Sequence, residues 1–256
     1  MSTQKSKIAL VTGGSRGLGR DMVINLAKKG LDVVLTYKND QQAASKVVAE
    51  IENIGHKALA LPLDVSDYQQ YTALFENELA SKLQEHFNTT KFDYLINNAG
   101  TGLSKTFMET RISEFHDQFK IHLEAGYFLT QQALGHMNDH GGIVNISSGL
   151  TRIIYPGHSA YAALKSALET LTKYQAKELG DRKIRVNIVA PGAIETDFNG
   201  GFVRDNQQVN ADIASSTALG RVGLPTDIGS VVAFLCTDEA GWINAQRIEV
   251  SGGQAI

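Results

Sequence analysis

The chain has 256 residues, 43% apolar and 20% charged, with a net charge of −3; this is ordinary globular composition, enough for one domain around a large core. Without a block of like charge or an apolar run near bilayer length, it offers nothing to nucleic acid, to an anionic membrane surface or to a membrane interior. The single cysteine, Cys236 in V-V-A-F-L-C, excludes an internal disulfide and reads as a buried apolar side chain in a reducing, cytoplasmic compartment.

The N-terminal M-S-T-Q-K-S-K has no signal-peptide core and runs into the first apolar stretch. Strands are predicted at Ile8–Val11, Val33–Tyr37, Ala58–Leu61, Tyr94–Asn97, Gly142–Ser147, Arg185–Ala190 and Arg247–Val250. Helical patterns fall near 17–29, 41–54, 68–87, 111–138, 159–180 and 225–238. Continuously apolar strands alternating with helices predict an α/β fold. It is a single doubly wound Rossmann-type domain over residues 1–256, its parallel sheet of about seven strands covered by helices on both faces. Lys82–Phe92 is expected to form a long surface loop before the fourth strand.

The first strand ends in T-G-G-S-R-G-L-G, Thr12 to Gly19, with a helical stretch directly after it. A tight turn, close backbone approach and a helix N-terminus aimed at an anion are what a dinucleotide pyrophosphate needs. The spacing is G-x-x-x-G-x-G (Gly13, Gly17, Gly19), with Ser15, Arg16 and Leu18 between. An NAD site usually carries an acid at the end of the second strand; here Tyr37 and Lys38 stand there. With Arg16 in the loop, two cations favour the 2′-phosphate of NADP(H). The alternative has Lys38 solvated and Asp40 turned in to the ribose.

In S-A-Y-A-A-L-K-S-A-L, Tyr161 and Lys165 lie four apart on one helix face. An ammonium about 4 Å from a phenolate, at an effective dielectric of about 20, contributes roughly 4 kcal/mol. That lowers a phenol pKa of about 10 to as little as about 7, where a general acid/base works. The seven histidines and one cysteine form no ligand-like cluster, so no metal is expected.

Taken together, the glycine loop, L-D-V (Leu63–Val65), N-N-A-G (Asn97–Gly100), N-I-S-S (Asn145–Ser148), the Tyr161/Lys165 pair, P-G (Pro191–Gly192) and the S-G-G near the end stand in order. This series resembles the short-chain dehydrogenase/reductase family over essentially the whole length, and most of all its members similar to 3-oxoacyl-carrier-protein reductase.

The resemblance implies that Tyr161 donates a proton to a carbonyl oxygen and that Lys165 lowers its pKa and holds the nicotinamide ribose. It implies that Ser148 hydrogen-bonds the substrate oxygen; Ser147 is the adjacent competitor, but strand alternation points it the other way. Asp64 and Val65 would meet the adenine, Asn98, Ala99 and Gly100 the adenosine and ribose, and Pro191, Gly192, Ile194 and Thr196 the nicotinamide.

Residues 193–222 lie where the family places a substrate lid, with Gly200-Gly201 free to hinge and Phe198 and Phe202 facing substrate. Leu150, Ile153, Ile154 and Tyr155 would form the opposite wall, and Arg152 or Arg204 could meet an acidic handle. The implied activity is NADPH-dependent reduction of a small-molecule ketone or of a 3-oxoacyl thioester, by a homotetramer or homodimer. An NAD-dependent alcohol dehydrogenase and a nucleotide sensor of weak turnover remain as alternatives.

The sequence departs from the family at two places. His122 stands where the family has an asparagine that helps hold a water leading from the lysine to solvent. Histidine can hold a water and titrates near neutrality, so a relay with an altered pH profile is expected. The competing reading is a packed histidine satisfied by backbone. Asn244-Ala245 replaces a frequent Thr-Gly, which bears on how chains pack.

Overall fold

A computed structural model describes residues 6–256; most of the expected leader-free N-terminus, residues 1–5, lies outside them. Seven parallel strands, β1 (Ile8–Val11), β2 (Asp32–Tyr37), β3 (Ala58–Pro62), β4 (Phe92–Asn97), β5 (Met137–Ile146), β6 (Arg185–Pro191) and β7 (Arg247–Val250), form one sheet. Their order is β3-β2-β1-β4-β5-β6-β7. Along β1, Ala9 and Val11 enter one core with α1 (Gly17–Lys28), α2 (Gln41–Ile54) and α10 (Pro225–Leu235). Ile8 and Leu10 enter the other, on the opposite face. Both faces are buried, which is why the strands carry no polar alternation.

The helices of the second face differ from the predicted ones. The stretch 68–87 divides into α3 (Tyr68–Ala73), a π-helical turn (Leu74–Glu78) and α4 (Leu79–Phe87). Residues 82–87 are therefore helix rather than the expected loop, and only a short turn precedes β4. The stretch 111–138 becomes α5 (Ile112–Phe119), a second π-helical turn (Lys120–Glu124), α6 (Ala125–Ala133) and a short 3₁₀ turn. The chain enters β5 at Met137, earlier than expected, because Met137 pairs with Phe92 ahead of a register shift. Next come α7 (Ser159–Glu178), then α8 (Phe202–Asp205) and α9 (Gln207–Ser215), which were not foreseen inside the lid segment.

The sheet changes direction of build between β1 and β4, so their C-terminal ends leave a crevice where the next connections diverge. Open α/β sheets bind ligands at such a switch point. Among the described residues no helix is long and apolar enough to cross a membrane, and no cluster of three or more metal-ligating side chains occurs.

Candidate active site at the sheet switch point

The glycine loop follows β1 directly into this crevice. Gly13 (φ 69°) and Gly17 (φ 55°) adopt left-handed backbone. At Gly19 a Cβ would stand 2.1 Å from the Gly13 carbonyl oxygen. Only glycine allows this turn to close so tightly.

The Asn98 amide donates to the carbonyls of Thr12 (2.9 Å) and Gly13 (3.1 Å). The Thr12 hydroxyl accepts from the amides of Asn98 and Ala99, both at 3.0 Å. Asn98 is thus a strut under the loop, and the Asn98–Gly100 segment offers a ligand its backbone instead. Helix α1 starts at Gly17 with no side-chain cap, so its first amides are left for an anion. Thr196 approaches the loop from the lid side, where a Cβ on Gly17 would stand 3.8 Å from the Thr196 Cβ. A dinucleotide fits this cradle: close backbone, free helix amides and no side chain filling the turn.

At the end of β2, Tyr37 is half-buried and Lys38 exposed, and Arg16 is exposed in the loop. The Lys38 ammonium sits 2.6 Å from Asp64. Partial burial works against the Asp64 carboxylate, but Lys38 and the Ser66 donors outweigh it and hold the carboxyl below its ordinary range. Asp40 caps α2, accepting from the Ala43 amide at 2.8 Å. It does not turn in toward a ribose.

Tyr161, Lys165 and His122 are buried together beside the end of β5. Ser148 opens a 3₁₀ turn there (Gly149–Thr151), and its hydroxyl favours the ionised form of the Tyr161 phenol. Ser147 points away and donates to Glu169 at 2.6 Å.

The tyrosine–lysine electrostatics differ from the expected arrangement. Lys165 Nζ donates to the Ile146 carbonyl at 2.7 Å and lies 5.7 Å from the Tyr161 ring centroid. Burial pushes the phenol up to about 12, opposed only by the Ser148 hydroxyl. Burial alone pulls Lys165 down to about 7.

His122 lies in the second π-helical turn with its ring edge-on to Tyr161, centroids 5.0 Å apart. A Cβ on Gly100 would stand 2.9 Å from His122 Cε1, so the glycine of N-N-A-G makes room for the imidazole. His122 Nε2 is 2.8 Å from the Thr101 carbonyl oxygen. Burial, and then the nearby Lys165 charge, hold its pKa well below 6.5. The expected titration near neutrality is therefore corrected: the ring stays neutral.

A carbonyl can only accept, so Nε2 carries the proton and Nδ1 is a bare acceptor. That Nδ1 is buried without a protein partner. A cavity of about 20 Å³ adjoins it, lined by His122, Lys165, Asn97, Thr12 and Ala99 among others. One water needs roughly 10–15 Å³.

The lid closes over the phenol. Phe198 lies 6.2 Å from Tyr161, ring to ring, and the Asn199 side chain fills the space a Cβ on Gly102 would need. Residues Asn199, Gly200 and Gly201 all have left-handed φ, so the expected hinge is a defined turn. Of the suggested wall, Ile153 is buried while Ile154 and Tyr155 are exposed. Neither arginine is free for an acidic handle: Arg152 is held by Glu249, and Arg204 by Asp197 and Asp205. Pro191 pairs with Val250 at the end of β6, and Ile194 bridges to Gly223. Thr101 and Asn199 carried no signal in the sequence, because their roles come from backbone position.

The family model described as enoyl-(acyl carrier protein) reductase matches residues 13–255. The chain belongs to the short-chain dehydrogenase/reductase family. It is 34% identical to the hydroxynaphthalene reductase-like protein Arp2 of Metarhizium brunneum, with 96% of this chain and 94% of that one covered. Among solved structures it superposes on the promiscuous reductase LugOII, which catalyses keto-reduction at C1 during lugdunomycin biosynthesis. The TM-score is 0.92 and identity 37%, over 99% of this chain and 100% of the other. The angucycline C-6 ketoreductase LanV, with bound NADP, gives a TM-score of 0.91 and 35% identity over 97% and 95%.

Proposed function

We propose that this protein is an NADPH-dependent ketoreductase acting on an apolar, ring-bearing ketone. The observation that carries the reading is half-buried Ser148 beside the buried Tyr161 and Lys165, next to a loop shaped for pyrophosphate. When bound, NADPH supplies a hydride to the carbonyl carbon. Its 2′-phosphate would be met by Arg16 and Lys38, its pyrophosphate by the Gly13–Gly19 loop, and its nicotinamide end by Pro191–Thr196.

The chain's own residues handle the oxygen. Ser148 holds it by a hydrogen bond, and Tyr161 donates the phenolic proton as negative charge develops. A phenol raised to about 12 is fully protonated at neutral pH. It remains a far stronger acid than an alcohol, whose pKa is near that of water, so proton donation runs downhill in the direction of reduction. Lys165, near pKa 7 and beside the phenol ring, is the nearest proton source for the tyrosinate. His122 Nδ1 then orients a water in the adjoining cavity that restores the lysine's proton. His122 acts as a neutral acceptor rather than by titrating.

The substrate class follows from the lid: Phe198 over Tyr161, Phe202 exposed, and no unpaired arginine on the wall. Rings favour an aryl ketone. The named relatives, a hydroxynaphthalene reductase-like protein, a keto-reductase of lugdunomycin biosynthesis and an angucycline C-6 ketoreductase, support a ketone over an acyl thioester. Exposed Phe115, Phe119, Tyr127 and Phe128 on α5 and α6, with Tyr174 on α7, support a homo-oligomer, dimer or tetramer. A reducing cytoplasm suits the buried Cys236, whose thiol burial pushes up to about 12.

The test is NADPH oxidation at 340 nm across bicyclic aryl ketones and 3-oxoacyl thioesters. Higher kcat/KM on the aryl ketones is expected. Turnover confined to thioesters would overturn the substrate class.

A further inference from the structure

Beneath Ser148 lies an ion network with no counterpart in the roles assigned so far. Glu169 sits on α7 four residues past Lys165 and eight past Tyr161, on the same helix face. Its Oε1 accepts from the Ser147 hydroxyl at 2.6 Å and from the Thr151 hydroxyl at 2.9 Å. These two residues bracket Ser148 in the turn. Arg247 on β7 balances the carboxylate, donating to Glu169 Oε1 at 2.8 Å and to Thr151 Oγ1 at 3.0 Å.

Arg247 is held in turn by Glu249 at 2.9 Å. Glu249 takes Arg152, the next residue after the turn, and the Ser251 hydroxyl. Above this base the Ser148 hydroxyl is oriented by the Leu150 amide at 3.2 Å. The turn is thus fastened to the helix that carries Tyr161 and Lys165, and to the last strand, by one carboxylate.

We propose that Glu169 is a positioning residue of this active site, setting the Ser148 hydroxyl against Tyr161 through Ser147 and Thr151, with Arg247 as its counter-ion. This rests on the reading above that Ser148 and Tyr161 handle the carbonyl oxygen. Glu169 touches no reacting atom. It acts because the serine belongs to a turn and the tyrosine to a helix, and their relative placement has to be held from outside both. Small misplacements of this kind reduce rates by about 100-fold.

The experiment is a double-mutant cycle on the holoenzyme, with NADPH affinity and melting temperature measured for every variant. Glu169→Ala should lower kcat by about 100-fold while leaving the NADPH Kd unchanged. Glu169→Gln keeps an acceptor oxygen and the volume but loses the ion pair, and should recover roughly tenfold of that loss. Ser147→Ala and Thr151→Val each remove one tether and should fall between wild type and Glu169→Ala. They carry the test if Glu169→Ala does not fold.

In a Ser148→Ala background the same Glu169 substitution should change kcat by less than about twofold, because the group it positions is gone. An equal fold-loss in both backgrounds overturns the proposal and leaves the serine's role standing. A Ser148→Ala enzyme with wild-type kcat would instead overturn the role of the serine itself, and the proposal with it.

Discussion

Raising the pH from 7 to 9 should stabilise the protein through Lys165, and Lys165→Met should remove that gain. The ammonium is buried against the Ile146 carbonyl, and burial brings its pKa from 10.5 to about 7. The unfolded chain therefore keeps the lysine proton over an interval in which the folded chain gives it up. Stability rises with pH wherever the unfolded state binds more protons. The destabilisation is complete below pH 7, fades between 7 and 10.5, and is gone above that.

Integrated from pH 7 to 9, the gain is about 2 kcal/mol. Tyr161 and Cys236, both pushed up to about 12, act in the opposite sense, but only as pH rises past their ordinary values of 10.0 and 9.0. His122, which faces Lys165, is neutral throughout. Denaturant midpoints at pH 7, 8 and 9, without added nucleotide, measure the effect. Wild type should gain about 2 kcal/mol more than Lys165→Met over the interval. Parallel pH dependences in the two proteins would refute the reasoning.

Gly100→Ala places a methyl group 2.9 Å from His122 Cε1 and should cost about 1–3 kcal/mol; adding His122→Asn should recover most of it in the same denaturation assay. Ala245 holds a left-handed φ of 59°, so Ala245→Gly should stabilise by about 1 kcal/mol, seen as a rise of about 2–4 °C in melting temperature. Lys38→Ala should raise the Kd for NADPH by tenfold or more and leave that for NADH within about twofold, measured by nucleotide fluorescence titration; equal losses for both nucleotides would remove Lys38 from the 2′-phosphate site.

The sheet was legible because strands buried on both faces are continuously apolar, and Ala9 and Leu10 go to opposite cores without any polar alternation to obscure the run. The glycine loop was legible because its turn admits no side chain at Gly19. The two π-helical turns were not, since one extra residue in a turn leaves the 3.6-residue pattern of the flanking helices intact. Spacing put Tyr161 and Lys165 on one face but could not say where a four-carbon side chain ends. The ammonium went to the Ile146 carbonyl, and burial of the phenol sets the direction of its shift. The Glu169 network was illegible for another reason: its partners lie 22 and 78 residues away, just after β5 and on β7. Asp40 stood as the alternative ribose ligand because a helix cap and a ligand acid share one residue type and one place at a strand end.

The most direct measurement is NADPH oxidation with an aryl ketone by wild type and Tyr161→Phe, alongside the NADPH Kd of each. The account predicts turnover by wild type, unchanged NADPH affinity in the variant, and a rate lower by about 100- to 10,000-fold. A Tyr161→Phe enzyme turning over at the wild-type rate would contradict it.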